Sequence, residues 1–261
     1  MERIDVKECH KYLLNIAKTF HDICVKHNIP YFMLGGTQLG AIRHHGFIPW
    51  DDDMDFGVPR QYFAEMIDLL HRELPREYKI LDIYHTENFN KGYVKLEDSR
   101  TLIKEVSRKG KSMGLNIDIF PLDFTNGKKN IFSKNWLINQ LIKVESYTFD
   151  DLDNLDILRM SINKIFKVLL FFLNSKSILK YINKHLISSE GDFIVNHFGV
   201  YADKEIVKKD FFGVPMLYKF EDTELYGVAK ADDYLTHIYG DYMQIPKGRA
   251  NHFHIQELYL K

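Results

Sequence analysis

The sequence holds only two cysteines and seven prolines, and its charges carry almost no net sign. Each scarcity excludes something. Cys9 and Cys24 lie in what reads as one helix, where a bridge would have to span roughly 22 Å at 1.5 Å per residue. Both are therefore expected as free thiols. With 35 basic and 36 acidic residues, the net charge is −1, so the basic surplus of a general nucleic-acid binder is missing. No nucleic-acid partner is expected. The longest apolar run, Val168 to Leu173, is far shorter than the roughly 20 residues of a membrane span. The first residues, Met1 to Glu8, lack the apolar stretch of a signal peptide. A cytoplasmic location follows as the expectation. Disorder is excluded as well, because 45% of the residues are hydrophobic and 14% aromatic. A chain of 261 residues suits one large domain or two small ones.

What is present has a readable order. Residues 5–27 form an amphipathic pattern through Leu13, Ala17, Phe20 and Cys24, ended near Asn28 with Pro30 barring continuation. A strand is predicted at Tyr31–Leu34, stopped by Gly35-Gly36, then a short helix at Thr37–His44. Met54–Val58 reads as a second strand. Pro59 then stands where a helix accepts proline at its first position. Phe63, Met66, Ile67, Leu70 and Leu74 give that helix one apolar stripe. Strand-like segments recur at 79–85, 92–97, 101–106 and 115–120. From about 130 to 190 the pattern is helical and basic. The last seventy residues mix short strands, a helix near 230–239 and a polar tail. The class predicted is α+β with a helical C-terminal half, divided into 1–125 and 126–261.

The sharpest feature is Pro49-Trp50-Asp51-Asp52-Asp53-Met54-Asp55-Phe56. On an extended chain Asp51, Asp53 and Asp55 share one side, while Met54 and Phe56 take the other. Carboxylates crowded on one face repel unless a cation lies among them, and hard oxygen ligands favour Mg²⁺, Mn²⁺ or Ca²⁺. The plainer alternative, a solvated acidic loop, fits poorly with acids alternating with Met and Phe. An EF-hand fails, because its twelfth position, counted from Asp51, is Tyr62. A second feature is Leu34-Gly35-Gly36-Thr37, a glycine turn opening a helix, where backbone amides and the helix dipole favour a phosphate. The third is Asp118 in Asn116-Ile117-Asp118-Ile119-Phe120. An acid between apolar residues on a strand needs a partner, and a lysine would also serve. Together these three features describe a two-metal phosphoryl-transfer site with two Mg²⁺ (or Mn²⁺) ions.

The order of glycines, Asp-x-Asp and a lone strand aspartate resembles the nucleotidyltransferase superfamily with the polymerase-β-like fold. The segments Gly36–His44 and Gly46–Asp55 further resemble the LicD family. So do Leu96–Thr101, Ile117–Asp123 and Tyr239–Met243 with Pro246. The resemblance implies a mixed sheet core flanked by helices. It also implies transfer of phosphocholine from CDP-choline to a hydroxyl of a bacterial surface glycan, lipopolysaccharide or teichoic acid. Other CDP-alcohols, CDP-ribitol or CDP-glycerol, are used by relatives. Carried onto this chain, it makes Asp53, Asp55 and Asp118 catalytic metal ligands, with Asp51 as a further ligand. Asp52 is either ligand or support. Gly35, Gly36, Thr37, Arg43, His44 and Trp50 become donor-binding residues. Arg43 would meet the diphosphate or simply balance the acids, and His44 with His45 would touch the leaving group or lie at the surface. Trp50, Tyr93 and Tyr239 are candidate faces for a quaternary ammonium. Leu34-Gly35-Gly36 and Gln38 depart from the family pattern, which leaves the donor open. Arg249 and His252 resemble the family's C-terminal block and are candidates to line the site, whereas His252 and His254 make a poor metal pair without a Cys or Asp nearby.

Residues 157–189 carry six basic residues and no acid: Arg159, Lys164, Lys167, Lys176, Lys180 and Lys184. They form either the wet face of a core helix or a contact to an anionic membrane near a lipid-linked acceptor. Two other functions compete: a glycosyltransferase using its Asp-x-Asp with a nucleotide-sugar, and a binding module without chemistry.

Overall fold

The computed structural model describes residues 1–5, 8–87, 89, 91–105, 113–126, 177, 180, 190–245 and 255–261. Strand β1 (Glu2–Ile4) precedes helix α1 (Cys9–Lys26), which buries a stripe of Cys9, Leu13, Ile16, Ala17, Phe20, Ile23 and Cys24. Asn28 takes a positive φ of 57° and Pro30 follows, so the helix stops as expected. Cys9 and Cys24 are free and buried, and burial above all pushes the Cys9 thiol up to about 12.

Strand β2 (Phe32–Met33) leads into helix α2 (Gly35–His44), two residues earlier than Thr37. Strand β3 (Asp55–Pro59) then gives way to helix α3 (Arg60–Glu73), for which Pro59 serves as N-cap and not as the first helical residue. After β4 (Tyr78–Leu81), β5 (Val94–Asp98) and β6 (Thr101–Glu105) comes the long strand β7 (Asn116–Thr125). The described C-terminal part begins with β8 (Phe193–Val195), a 3-10 turn at Ala202–Glu205 and β9 (Ile206–Lys208). Helix α4 (Lys209–Phe212), the hairpin β10 (Met216–Phe220) and β11 (Thr223–Gly227), and helix α5 (Ala231–Tyr239) follow. Strand β12 (Ile255–Leu260) ends the order.

The class is α+β. A helical character does not extend over the described residues beyond Glu190, which are strands and short helices. The expected polar tail is instead β12, because β6 and β1 offer it two antiparallel partners and Leu258 a buried place. Of the basic segment 157–189, only Ser177 and Lys180 are described, and both are exposed. Arg249, His252, His254 and Pro246 lie outside the described residues. No helix among the described residues is long and apolar enough to cross a membrane.

The central sheet has seven strands, with β2-β3-β7-β5-β4 as its main path and β8 and β9 continuing from the far end of β7. The pair β3 and β7 is parallel and its neighbours are antiparallel. One face carries Phe56, Val58, Ile117 and Ile119 and packs under α1 and α3. The other carries Phe32, Leu34, Phe120 and Leu122 and packs against residues of α2 and α5, including Leu39, Tyr234, Leu235 and Ile238. Strand parity sends Asp55 and Asp118 to this second face, with Phe120 and Leu122.

The Leu96–Thr101 block turns out to be architecture. Buried Asp98 receives Arg100 Nε at 2.9 Å and Nη2 at 2.6 Å across the β5–β6 turn. Thr101 Oγ1 donates to the Asp98 carbonyl and accepts the Leu115 amide.

Candidate active site

The acids are assembled by register. Asp55 on β3 lies opposite Asp118 on β7, and Asp118 lies opposite Lys95 on β5, so one row across three strands reads Asp, Asp, Lys. Directly opposed residues share a face, which brings three side chains together from local positions that do not know of each other. Lys95, itself buried, pairs through Nζ with Asp118 Oδ1 and donates to Asn116 Oδ1 at 2.8 Å. Both readings of Asp118 therefore meet: it joins the acid cluster and it has a lysine. Lys95 had no motif to mark it; only strand pairing exposes its role.

Asp51, Asp53 and Asp55 reach this place from one side of the chain, as their parity predicts. Asp55 and Asp51 are half-buried and Asp53 is exposed. Burial, then the charges of Asp53, Asp118 and Asp51, hold the Asp55 carboxyl far above the ordinary range, against the pull of Lys95. Burial first, then Asp53, pushes Asp51 from the ordinary 3.8 up to about 8. Asp52 has the opposite parity and faces inward. Its Oδ2 accepts the Ile255 amide at 2.6 Å, fastening β12 to the acidic stretch. Asp52 is thus a support. His10, stacked on Phe47 at 4.1 Å, bonds the Asp51 carbonyl through Nε2 at 2.6 Å and steadies the same stretch.

The glycine turn stands directly against the acids. Gly35 adopts φ +48°, a conformation costly for a side chain, and a Cβ there would come within 3.9 Å of Asp55 Oδ2 and 3.6 Å of Tyr239 Oη. A Cβ on Gly36 would lie 2.7 Å from Asp51 Oδ2. At Gly36 a side chain would collide with the Asp51 carboxylate, whereas at Gly35 the surrounding contacts are ordinary and the positive φ is what favours glycine. Thr37 Oγ1 accepts the Asp55 amide at 2.8 Å, which ties α2 to the start of β3. Its hydroxyl, buried at this junction, is thereby engaged by the backbone.

Tyrosines close the other side. Tyr234 Oη accepts the Gly35 amide at 3.1 Å, and Tyr201 and Tyr239 share a hydroxyl–hydroxyl bond of 2.9 Å with rings 5.3 Å apart. Burial raises all three phenols, so they stay protonated at neutral pH. Tyr239 was legible as a candidate aromatic; Tyr201 and Tyr234 carry no local signal and are placed by folding.

Arg43 balances none of the acids. Its Nη1 donates to the Tyr242 carbonyl at 2.7 Å and its Nε to His44 Nε2 at 3.0 Å, so it locks the Tyr239–Met243 block onto α2. His44 stands edge-on to Trp50 at 6.1 Å, and exposed His45 takes the left-handed C-cap of α2. Tyr93 lies 5.7 Å from Lys95 Nζ and 4.9 Å from the Phe120 ring. Gln38 is fully buried and accepts the Val228 amide at 3.1 Å through Oε1, which accounts for a polar side chain at that helix position.

The donor set fits a divalent cation. Asp51, Asp53, Asp55 and Asp118 offer hard oxygen donors whose charges act on one another, and a bound cation would relieve that repulsion. A pH effect follows. Raised acids hold protons in the folded chain that the unfolded chain has released, so stability is fullest below about pH 4 on their account and declines as pH rises through about 8. Thermal melts in EDTA should fall between pH 5 and 8.5 by roughly 5 °C or more, and millimolar Mg²⁺ should flatten the slope. A slope of opposite sign would remove the acid repulsion from the account.

Aspartates from two paired strands thus stand beside a glycine turn in the part of the chain that a known family shares. The chain belongs to the LicD/FKTN/FKRP nucleotidyltransferase-domain family, whose pattern matches residues 28–163 and so covers the glycine turn, the acidic stretch and Asp118. The lipopolysaccharide cholinephosphotransferase LicD of Haemophilus influenzae is 29% identical over the whole of both chains. An uncharacterized protein of Rickettsia typhi is 29% identical over 143 residues, 54% of this chain and 40% of that one. Another, of Rickettsia prowazekii, is 48% identical over 46 residues, 18% of this chain and 17% of its own.

Proposed function

We propose that this chain is a transferase that moves phosphocholine from CDP-choline to a hydroxyl of a bacterial surface glycan, lipopolysaccharide or teichoic acid. The observation that carries it is the row Asp55–Asp118–Lys95 facing the Gly35-Gly36 turn. The core is read as a nucleotidyltransferase fold, and the name of the Haemophilus relative supports choline over other alcohols. The reaction would take place at the cytoplasmic side, with the basic segment 157–189 near a lipid-linked acceptor.

Asp51, Asp53, Asp55 and Asp118 would hold Mg²⁺ or Mn²⁺, as two ions. Bound there, the cations supply neutralisation of the diphosphate charge. The remaining work falls to the chain itself. The α2 N-terminus, opened by two glycines, accepts a phosphate close to the backbone. Tyr201 and Tyr239 offer ring faces and hydroxyl donors beside Asp55. An ammonium methyl group gains there through contact with aromatic faces. Lys95 occupies Asp118 Oδ1 and leaves its other oxygen to take the acceptor's hydroxyl proton. As the acceptor oxygen bonds to the choline-bearing phosphorus, the bond to CMP breaks and CMP leaves with the electron pair.

Product analysis after incubation with radiolabelled CDP-choline, CDP-ribitol, CDP-glycerol and UDP-sugars tests this. Label transfer from CDP-choline with CMP release is the expected result. Transfer from another CDP-alcohol would correct the donor, transfer from a UDP-sugar would make it a glycosyltransferase, and no transfer to any glycan would leave a binding module.

A further inference from the structure

A second convergence lies outside the acidic row. His71 in the last turn of α3 and the turn after edge strand β4 meet at Asp82. His71 Nε2 stands 2.8 Å from Asp82 Oδ2, and His85 Nδ1 stands 3.0 Å from Oδ1 and 3.1 Å from Oδ2. One ligand atom from each of the three residues lies within 4.8 Å of the others, and the imidazole centroids are 4.4 Å apart. The carboxylate is oriented from behind. Its Oδ1 accepts the backbone amides of Tyr84 at 2.7 Å and His85 at 3.0 Å, while Oδ2 meets His71 and the His85 ring lies between the two oxygens.

The mutual approach of three ligand atoms is what makes this more than a hydrogen-bonded turn. Asp82 is buried, at 1% exposure, and among the described residues no Lys or Arg pairs with it. Neutral imidazoles donate hydrogen bonds but bring no charge. Burial works against the Asp82 charge, but the bonds from His71, Tyr84 and His85 outweigh it and hold the carboxyl below the ordinary range, so an anionic ligand stands ready among the rings. Two imidazole nitrogens and a carboxylate oxygen held by backbone amides are the donors that borderline divalent ions take, and the supporting amides are the outer hydrogen bonds such sites need.

We propose that His71, Asp82 and His85 bind a transition-metal ion of the Zn²⁺ type. The ion replaces the two imidazole protons directed at the carboxylate and leaves a fourth position for water. It joins the end of α3 to the edge of the sheet. It is also separate in chemistry from the all-oxygen aspartate cluster, which favours Mg²⁺.

The test uses the full chain without a histidine tag, stripped of metal and titrated with Zn²⁺ by calorimetry in millimolar Mg²⁺. One ion per chain is expected, with a dissociation constant of about a micromolar or tighter. His71→Gln and His85→Gln should each weaken it at least about tenfold, and the double variant should abolish it. Asp53→Asn with Asp55→Asn should leave it intact, which separates this site from the proposed transferase site. The His85 side chain is 53% exposed, so its replacement leaves folding in place, and circular dichroism checks that. X-ray absorption of the Zn²⁺-loaded protein should find two nitrogen ligands. No binding by the parent chain, equal binding by the histidine variants, or an all-oxygen shell overturns the proposal and leaves a hydrogen-bonded clamp.

Discussion

Replacing Asp53 or Asp55 by Asn should lower Mg²⁺-dependent phosphocholine transfer by about 10³-fold or more, equivalent to roughly 4 kcal/mol of transition-state stabilisation. The same substitutions should leave the metal-free melting temperature unchanged or raise it. Asp55 is held far above the ordinary carboxylate range by burial and by the charges of Asp53, Asp118 and Asp51, so the acids work against the fold when no cation is bound. An amide of the same shape removes a charge and keeps the backbone bond from the Asp55 amide to Thr37. Activity and stability should therefore move in opposite directions, as expected where function opposes stability. Near-normal turnover in either variant would defeat the cation-assisted scheme. A matching loss of stability would instead assign the aspartates to architecture.

Lys95→Met should have the largest effect on folding. Its ammonium is buried and paired with Asp118, and it is the charge opposing the repulsion around Asp55. Breaking such a pair from one side leaves an uncompensated carboxylate, at a cost of about 3 kcal/mol or more. For a chain of this size that lowers the melting temperature by roughly 6–12 °C. Adding Asp118→Asn to Lys95→Met should restore most of the stability without restoring transfer, because the charge imbalance is gone but a carboxylate is missing from the row. Urea unfolding of the four species of this cycle gives the coupling energy directly. A coupling near zero would mean that Lys95 acts independently of Asp118.

Much of this site was open to local reading, and the reasons are periodic. The parity of Asp51, Asp53 and Asp55 along an extended chain predicted which acids converge, and Asp52, of the opposite parity, turned inward to hold Ile255. The glycine pair between a strand and a helix predicted a backbone open to close approach, and at Gly36 the neighbour that comes close is the Asp51 carboxylate. The apolar stripes of α1 and α3 predicted two helices within a few residues. Where local reading fell short, the partner was distant. Arg43 faces Tyr242 instead of a cluster of acids, and the bond that decides this joins residues 199 apart in sequence. The polar tail became a strand because an edge was waiting for it, which no pattern within 255–260 specifies.

The near-absence of cysteine, of long apolar runs and of net charge narrowed what kind of chemistry was left, and the order of glycines and aspartates led to the expectation of phosphoryl transfer. These follow from the sequence because they depend on residues within a few positions of one another. The parallel register of β3 with β7, and the antiparallel one of β7 with β5, belong to the tertiary structure alone. That register puts Lys95 beside Asp118 and Asp118 beside Asp55, and the packing of α5 brings Tyr239 to Gly35. The physical reason is that strand pairing is chosen by burial of whole faces and by crossover packing, and not by the residues that the pairing happens to bring together.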